Sequence, residues 1–94
     1  MMSATPAPLA LGPELTIAFA AATRDTLFDA MQTQVGDLTL ELSGVTDVDS
    51  AGVQLLLATQ RSLTERGDVL VLHAPSNTVR DALAVFGLSH LLQS

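Results

Sequence analysis

The sequence predicts a single α/β domain in which a small mixed β-sheet carries helices mainly on one face. Residues 37–42 alternate apolar and polar side chains, as a half-buried strand does. Residues 50–66 place apolar side chains at helical spacing, and residues 69–73 form a continuous apolar run typical of a buried strand. Because strands and helices alternate along the chain, a sheet with helices packed against it is favoured.

The N-terminal part of the chain predicts two short strands followed by a helix. Residues 1–8 are small and proline-rich, so we expect a flexible tail there and the folded domain over residues 9–94. Residues 9–11 and 14–18 are extended segments that Gly12 and Pro13 separate. A helix is predicted from Phe19 to Gln34. Phe19, Thr23, Leu27, Ala30 and Met31 fall on one side of this helix, which we expect to face the core.

The rest of the chain predicts a strand at 37–42, a connecting loop at 45–49, a helix at 50–66, a strand at 69–73 and a last helix that Ser76 or Asn77 caps. Gly36, Gly67 and Gly87 are placed to end the three helices. We expect residues 88–92 to seal a core that is built from leucine, valine, alanine and the three phenylalanines. The residues that follow the helical period on one side of the two later helices are Val53, Leu56, Leu57, Gln60, Leu63 and Thr64, then Val79, Leu83 and Phe86.

The composition narrows the class of function. The chain has 94 residues, ten acidic residues against four arginines, a formal charge of −6 and no cysteine. Phosphate-backbone binding needs clustered cations, so nucleic acid is not an expected partner. Disulfides and thiolate chemistry are excluded. No stretch approaches the roughly 18 apolar residues of a membrane span, so we expect a cytoplasmic protein without direct membrane insertion.

The segment from Asp49 to Gly52 reads Asp-Ser-Ala-Gly, and it follows a strand and opens an apolar helix. Farther on, a strand is followed by a proline-serine pair and by a helix that ends in Gly87-Leu88. This order resembles the STAS domain, the fold of bacterial anti-sigma-factor antagonists, over roughly residues 9 to 92. The resemblance implies a STAS fold and a regulatory protein that is not an enzyme.

The resemblance also implies a site. In anti-sigma-factor antagonists a partner kinase phosphorylates the serine or threonine after the aspartate, and Ser50 occupies that place. The implied partner is a kinase-like signalling protein, an anti-sigma factor or a chemotaxis component, which the unphosphorylated domain binds. The predicted contact residues are Asp49, Ser50, Ala51, Gly52, Gln54, Leu55 and Arg61.

Ala51 leaves a second interpretation open. Antagonists of this class typically have serine or threonine at that place, whereas Asp-Ser-Ala-Gly before an apolar helix is more similar to STAS proteins associated with chemotaxis kinases or with lipid transport. The alternative is therefore a structural subunit of a lipid-transport ABC complex that docks on its ATPase.

Each of these residues also has a purely structural interpretation. The Ser50 hydroxyl is a good N-cap that accepts from the Val53 N–H. Asp47 and Asp49 suit a solvated turn better than a metal site. Gly52 serves either close packing or the approach of a partner.

Leu55 bears on a contact surface, and the two histidines bear on metal binding and catalysis. Leu55 lies beside the core stripe, and we expect some exposure of it. His73 and His90 have no metal-ligand spacing. No nucleophile and base are paired, so we expect neither catalysis nor a cofactor.

Overall fold

The computed structural model describes residues 8–92, so the predicted tail at 1–8 lies outside the described residues except for Pro8. Three helices alternate with five short strands, and two short 3-10 helices at Ile17–Phe19 and Ser89–Leu92 lie before the first helix and at the end of the described chain. The elements run in the order β1 Leu9–Ala10, β2 Glu14–Leu15, α1 Ala20–Thr33, β3 Leu38–Glu41, β4 Asp47–Val48, α2 Ser50–Glu65, β5 Leu70–His73 and α3 Asn77–Val85.

The strands form two small sheets, and every strand pairing among residues 8–92 is parallel. One sheet has the order β1-β3-β5, and the other pairs β2 with β4. The expectation of a mixed sheet is therefore corrected. Strand β1 runs parallel to β3 in one sheet, and β2 runs parallel to β4 in the other. The predicted loop at 45–49 contains β4, a strand that the sequence pattern does not indicate.

One face of the larger sheet is covered. Leu38 and Leu40 of β3 are buried, whereas Thr39 between them is partly exposed. Strand β5 has the same alternation. This burial pattern agrees with helices packed mainly on one face of the sheet. The buried hydrophobic side chains are Leu15, Leu27, Ala30, Leu38, Leu40, Leu42, Val45, Val53, Leu56, Leu63, Leu70, Leu72, Val79, Leu83 and Leu91.

The phenylalanines depart from the expectation that they fill the core. Phe19 is 49% exposed, Phe28 is 57% exposed and Phe86 is 48% exposed. Phe19 and Phe86 lie at the ends of their predicted stripes. Leucine, valine and alanine supply the buried core instead.

Helices α1 and α2 lie side by side and point in the same direction. Near their N-terminal ends, Asp49 Oδ2 accepts a hydrogen bond from the Ile17 N–H at 2.9 Å. Near their C-terminal ends, the Arg66 guanidinium donates to the carbonyl oxygens of Met31 at 2.6 Å and Gly36 at 3.1 Å. Contacts at both ends hold the two helices parallel.

Candidate partner-binding site

Asp49 caps α2, and this corrects the prediction that the Ser50 hydroxyl does so. The Asp49 Oδ1 accepts hydrogen bonds from the N–H groups of Ala51 at 2.9 Å and Gly52 at 3.2 Å. The Val53 N–H donates to the Asp49 carbonyl oxygen at 3.1 Å. The aspartate therefore satisfies the free N–H groups of the first turn, and Ser50 becomes the first residue of the helix.

The Asp49 carboxylate also links its loop to the segment that precedes α1. Its second oxygen accepts from the Ile17 N–H, and the Asp49 N–H donates to the Leu15 carbonyl oxygen at 3.1 Å. These backbone N–H groups, that of Ile17 first, lower the pKa of Asp49 because they stabilise the ionised carboxylate. The loop is thus held in place by the charged form of one side chain.

Gly52 is buried at the first turn of α2, where it lies against Leu15. A Cβ atom at Gly52 would overlap the Leu15 carbonyl oxygen and would lie 2.8 Å from its carbonyl carbon. Only glycine allows the helix to approach β2 this closely. Of the two interpretations of Gly52, the structure supports close packing, and the residue presents little surface to a partner.

The other predicted contact residues lie on α2 and differ in how exposed they are. Ser50, Gln54 and Arg61 are exposed and lie at helical spacing on one stripe. Ala51 and Leu55 are half-buried. Arg61 lies about 16 Å along the helix axis from Ser50, at 1.5 Å per residue. Ser50 and Gln54 therefore belong to one local surface, and Arg61 lies beyond its edge.

Two exposed apolar residues near α2 are absent from the predicted contact residues. Ile17 is 73% exposed, and its backbone bonds to Asp49. Phe28 is 57% exposed on α1. A signal existed for Phe28, because a phenylalanine next to Leu27 falls off the predicted core stripe of α1. No local signal placed Ile17 beside the loop, since the contact spans 32 residues.

The two histidines and the acidic side chains form no metal-binding group. Among residues 8–92, no three histidine, cysteine, aspartate or glutamate residues converge on one point. His73 Nε2 lies 3.5 Å from Glu41 Oε1 across the β3–β5 pair. Glu41 also accepts from the Ser43 hydroxyl and N–H, and these hydrogen bonds, that of the hydroxyl first, lower the pKa of Glu41.

Residues 2–93 match the family model described as "Mlab, STAS domain". The chain belongs to the STAS domain family. The expected fold class is thereby confirmed, with three helices and small parallel sheets. A comparison with curated proteins finds no match.

Membership in the STAS family defines the general kind of function. STAS domains are generally non-enzymatic binding domains, and they typically bind protein partners in regulatory roles like that of anti-sigma-factor antagonists. No helix within residues 8–92 is long and apolar enough to cross a membrane.

Proposed function

We propose that this STAS domain is a cytoplasmic bacterial regulatory protein that binds a kinase-like signalling protein, an anti-sigma factor or a chemotaxis component. The contact surface is the Asp49–Gly52 loop with the exposed stripe of α2, and Ser50 is the phosphoacceptor. Ile17, which lies beside the loop, adds an apolar contact to the residues that the sequence predicted.

The accessibility of the Ser50 hydroxyl carries the proposal. Ser50 is exposed as the first residue of α2, and its hydroxyl makes no hydrogen bond to any atom of residues 8–92. Asp49 supplies the cap, so the fold does not need this hydroxyl. A kinase therefore has access to Ser50 without opening the domain.

The charge added at Ser50 explains how phosphorylation releases a partner. A phosphoserine adds about −1.5 to −2 charges at pH 7. It stands next to the ionised Asp49, in a chain of net charge −6. The N-terminus of α2 tolerates the phosphate, because the helix dipole favours negative charge there. An acidic or apolar partner surface does not tolerate it, so binding weakens while the domain stays folded.

Affinity purification from the native cells tests this proposal. Tagged wild-type protein is compared with Ser50→Asp and Ser50→Ala, and partners are identified by mass spectrometry. We expect a kinase-like or anti-sigma partner that Ser50→Ala retains and Ser50→Asp loses. Thr64→Asp is the matched control, because it adds the same charge to α2 about 21 Å along the helix from Ser50, at 1.5 Å per residue.

The lipid-transport interpretation makes a different prediction in the same experiment. An ABC ATPase subunit that wild type and Ser50→Asp retain equally would replace the signalling role with that of a structural subunit. Ala51 supports this alternative and a chemotaxis component equally over a sigma-factor antagonist, because it stands where sigma-factor antagonists typically have a hydroxyl.

A further inference from the structure

An apolar groove runs along the outer side of α1 and α2, where the two parallel helices meet. Its volume is about 160 Å³, and leucine, phenylalanine, methionine and alanine side chains contribute most of its wall. An apolar cavity of roughly 150 Å³ accommodates a benzene ring, so this groove accommodates one large apolar side chain. It is lined by Arg24, Leu27, Phe28, Met31, Leu55, Ala58, Thr59 and Ser62.

The groove leaves an aromatic side chain in solvent at its rim. Phe28 is 57% exposed, although burial of an aromatic ring is among the strongest contributions to a protein interface. Leu55 is only half-buried beside it. The Thr59 hydroxyl donates to the Leu55 carbonyl oxygen at 2.8 Å within α2, so it does not depend on a partner for a hydrogen bond. An apolar occupant therefore leaves the buried Thr59 hydroxyl with its hydrogen bond.

The residues that line the groove include one cation and no anion, although an aspartate lies next to that cation. Ten acidic residues outnumber four arginines, yet the lining contains Arg24 and no carboxylate. Asp25 lies 3.8 Å from the Arg24 guanidinium but is not part of the lining, and both side chains are mostly exposed. Arg61 is exposed on the neighbouring face of α2. The groove thus presents a cation beside an apolar floor.

We propose that the α1/α2 groove docks an amphipathic helix of a partner protein, with a large apolar side chain in the groove and a carboxylate at Arg24. Two parallel helices form a straight channel, and an amphipathic helix laid in such a channel is a recurring mode of recognition. The acidic flank follows from charge complementarity, since a basic helix would find no carboxylate in the lining. The groove shares Leu55 with the predicted contact residues near Ser50, but it does not include Ser50 itself, so the proposal does not depend on phosphorylation.

Two synthetic helical peptides test the proposal. Both carry leucine at the same i, i+3 and i+4 positions, and their flanking residues are glutamate in one and lysine in the other. NMR titration of the ¹⁵N-labelled protein at 0.15 M salt reports binding residue by residue. The net charge of −6 favours the lysine peptide everywhere else on the surface, so a preference for glutamate is specific to the groove.

We expect the glutamate peptide to shift the amide signals of α1 and α2 around Phe28, Leu55 and Ala58. Phe28→Ala should weaken this binding about tenfold, as loss of an interface anchor does. Arg24→Glu should weaken it about threefold to fivefold, as loss of an exposed ion pair does. The matched controls are Val85→Ala and Arg80→Glu, which change an exposed apolar and an exposed cationic side chain on α3 and should leave binding unchanged.

Three results would overturn the proposal. The first is no shift at the groove with either peptide, and the second is binding that Arg24→Glu and Phe28→Ala leave unaltered. The third is a dimer of the wild-type chain in sedimentation that Phe28→Ala dissociates, since the occupant would then be a second copy. None of these results bears on the Ser50 experiment, so the two proposals fail independently.

Discussion

Two adjacent residues at the start of α2 have different tasks. Asp49 uses both carboxylate oxygens, one on the first turn of the helix and one on Ile17, whereas Ser50 is exposed and its hydroxyl makes no bond within residues 8–92. The motif thus separates the residue that stabilises the loop from the residue that we propose as the phosphoacceptor.

Because Asp49 and Ser50 have different tasks, their alanine substitutions should affect the stability of the fold unequally. Ser50→Ala should change the free energy of unfolding by no more than about 0.5 kcal/mol, as a surface substitution does. Asp49→Ala should lower the melting temperature clearly, because it removes the cap and the link to Ile17 together. Thermal unfolding followed by circular dichroism measures both. Equal melting temperatures for the two variants would contradict the assignment of the cap to Asp49.

Gly52 provides a second prediction at the level of one residue. In an exposed helix, Gly→Ala stabilises by up to about 1 kcal/mol. Gly52→Ala should instead destabilise by about 1–3 kcal/mol, because the added methyl group would overlap the Leu15 backbone. Gly44→Ala is the control, since a Cβ there has no heavy atom within 4 Å. Urea unfolding curves compare the two, and a stabilised Gly52→Ala variant would show that the helix can move away from β2.

At the scale of elements, Arg66 holds the C-terminal ends of α1 and α2 together. Its guanidinium reaches the Met31, Gln34 and Gly36 carbonyl oxygens while its Nε donates to Asp68 at 2.7 Å. The carbonyl groups at the end of α1 would otherwise depend on water. The planar, multi-donor geometry of arginine suits this junction in a way that a lysine ammonium cannot.

Arg66→Lys should therefore behave almost like Arg66→Ala. We expect both variants to lose about 1 kcal/mol of unfolding free energy, as when a hydrogen-bonding side chain is removed. They should also increase amide hydrogen exchange at the end of α1. Arg80→Lys, on the exposed face of α3, should leave both quantities unchanged. Full protection in Arg66→Lys would mean that charge alone holds the two helices.

The sequence predicted the larger elements well, because their signals are local. Helix α2 begins at Ser50 as predicted, Ser76 caps α3 by accepting from the Val79 N–H at 3.2 Å, and Gly67 follows α2 with a positive φ of 86°. The two-residue strand β4 could not be predicted in this way. It exists only through its pairing with β2, a segment more than 30 residues away.

At the scale of the whole molecule, the free energy of unfolding should decrease at acidic pH. The pKa of Asp49 is lowered by the Ile17 N–H and then by those of Gly52 and Ala51, and the pKa of Glu41 is lowered by its hydrogen bond from Ser43. A pKa below its unfolded value, about 3.9 for aspartate and about 4.3 for glutamate, stabilises the fold at higher pH. That stabilisation is complete above the unfolded value and is lost as pH falls through the lower folded value.

The urea midpoint of the wild-type protein should therefore fall as pH drops below about 4. For Asp49→Asn, the difference from wild type should be largest near pH 6 and should narrow toward pH 3, because the protonated aspartate then resembles the asparagine. Ser50→Ala removes no titrating group, so its difference from wild type should not vary with pH. A constant difference for Asp49→Asn would exclude a contribution from its carboxylate charge.

The surface of the whole molecule also differs from the composition-based expectation. The phenylalanines were predicted to fill the core, yet each is about half exposed, and Phe28 borders the α1/α2 groove. Periodicity indicates which positions of one helix are expected to be buried. The side of α1 that borders the groove depends instead on where α2 packs. That arrangement appears only when distant helices are brought together.

The sequence by itself determined the α/β class, the main helices and strands, the leucine-rich core positions and the Asp-Ser-Ala-Gly loop of a STAS domain. Each of these depends on neighbours within a few turns or on side-chain alternation, which the order of residues already contains. Only the tertiary structure decided that Asp49 and not Ser50 is the cap, that Gly52 must admit the Leu15 backbone, and that α1 and α2 leave a groove. Asp49 is oriented in part by the Ile17 N–H, 32 residues away, and the fit of Gly52 and the groove both depend on segments that are distant in the sequence and that only packing brings together.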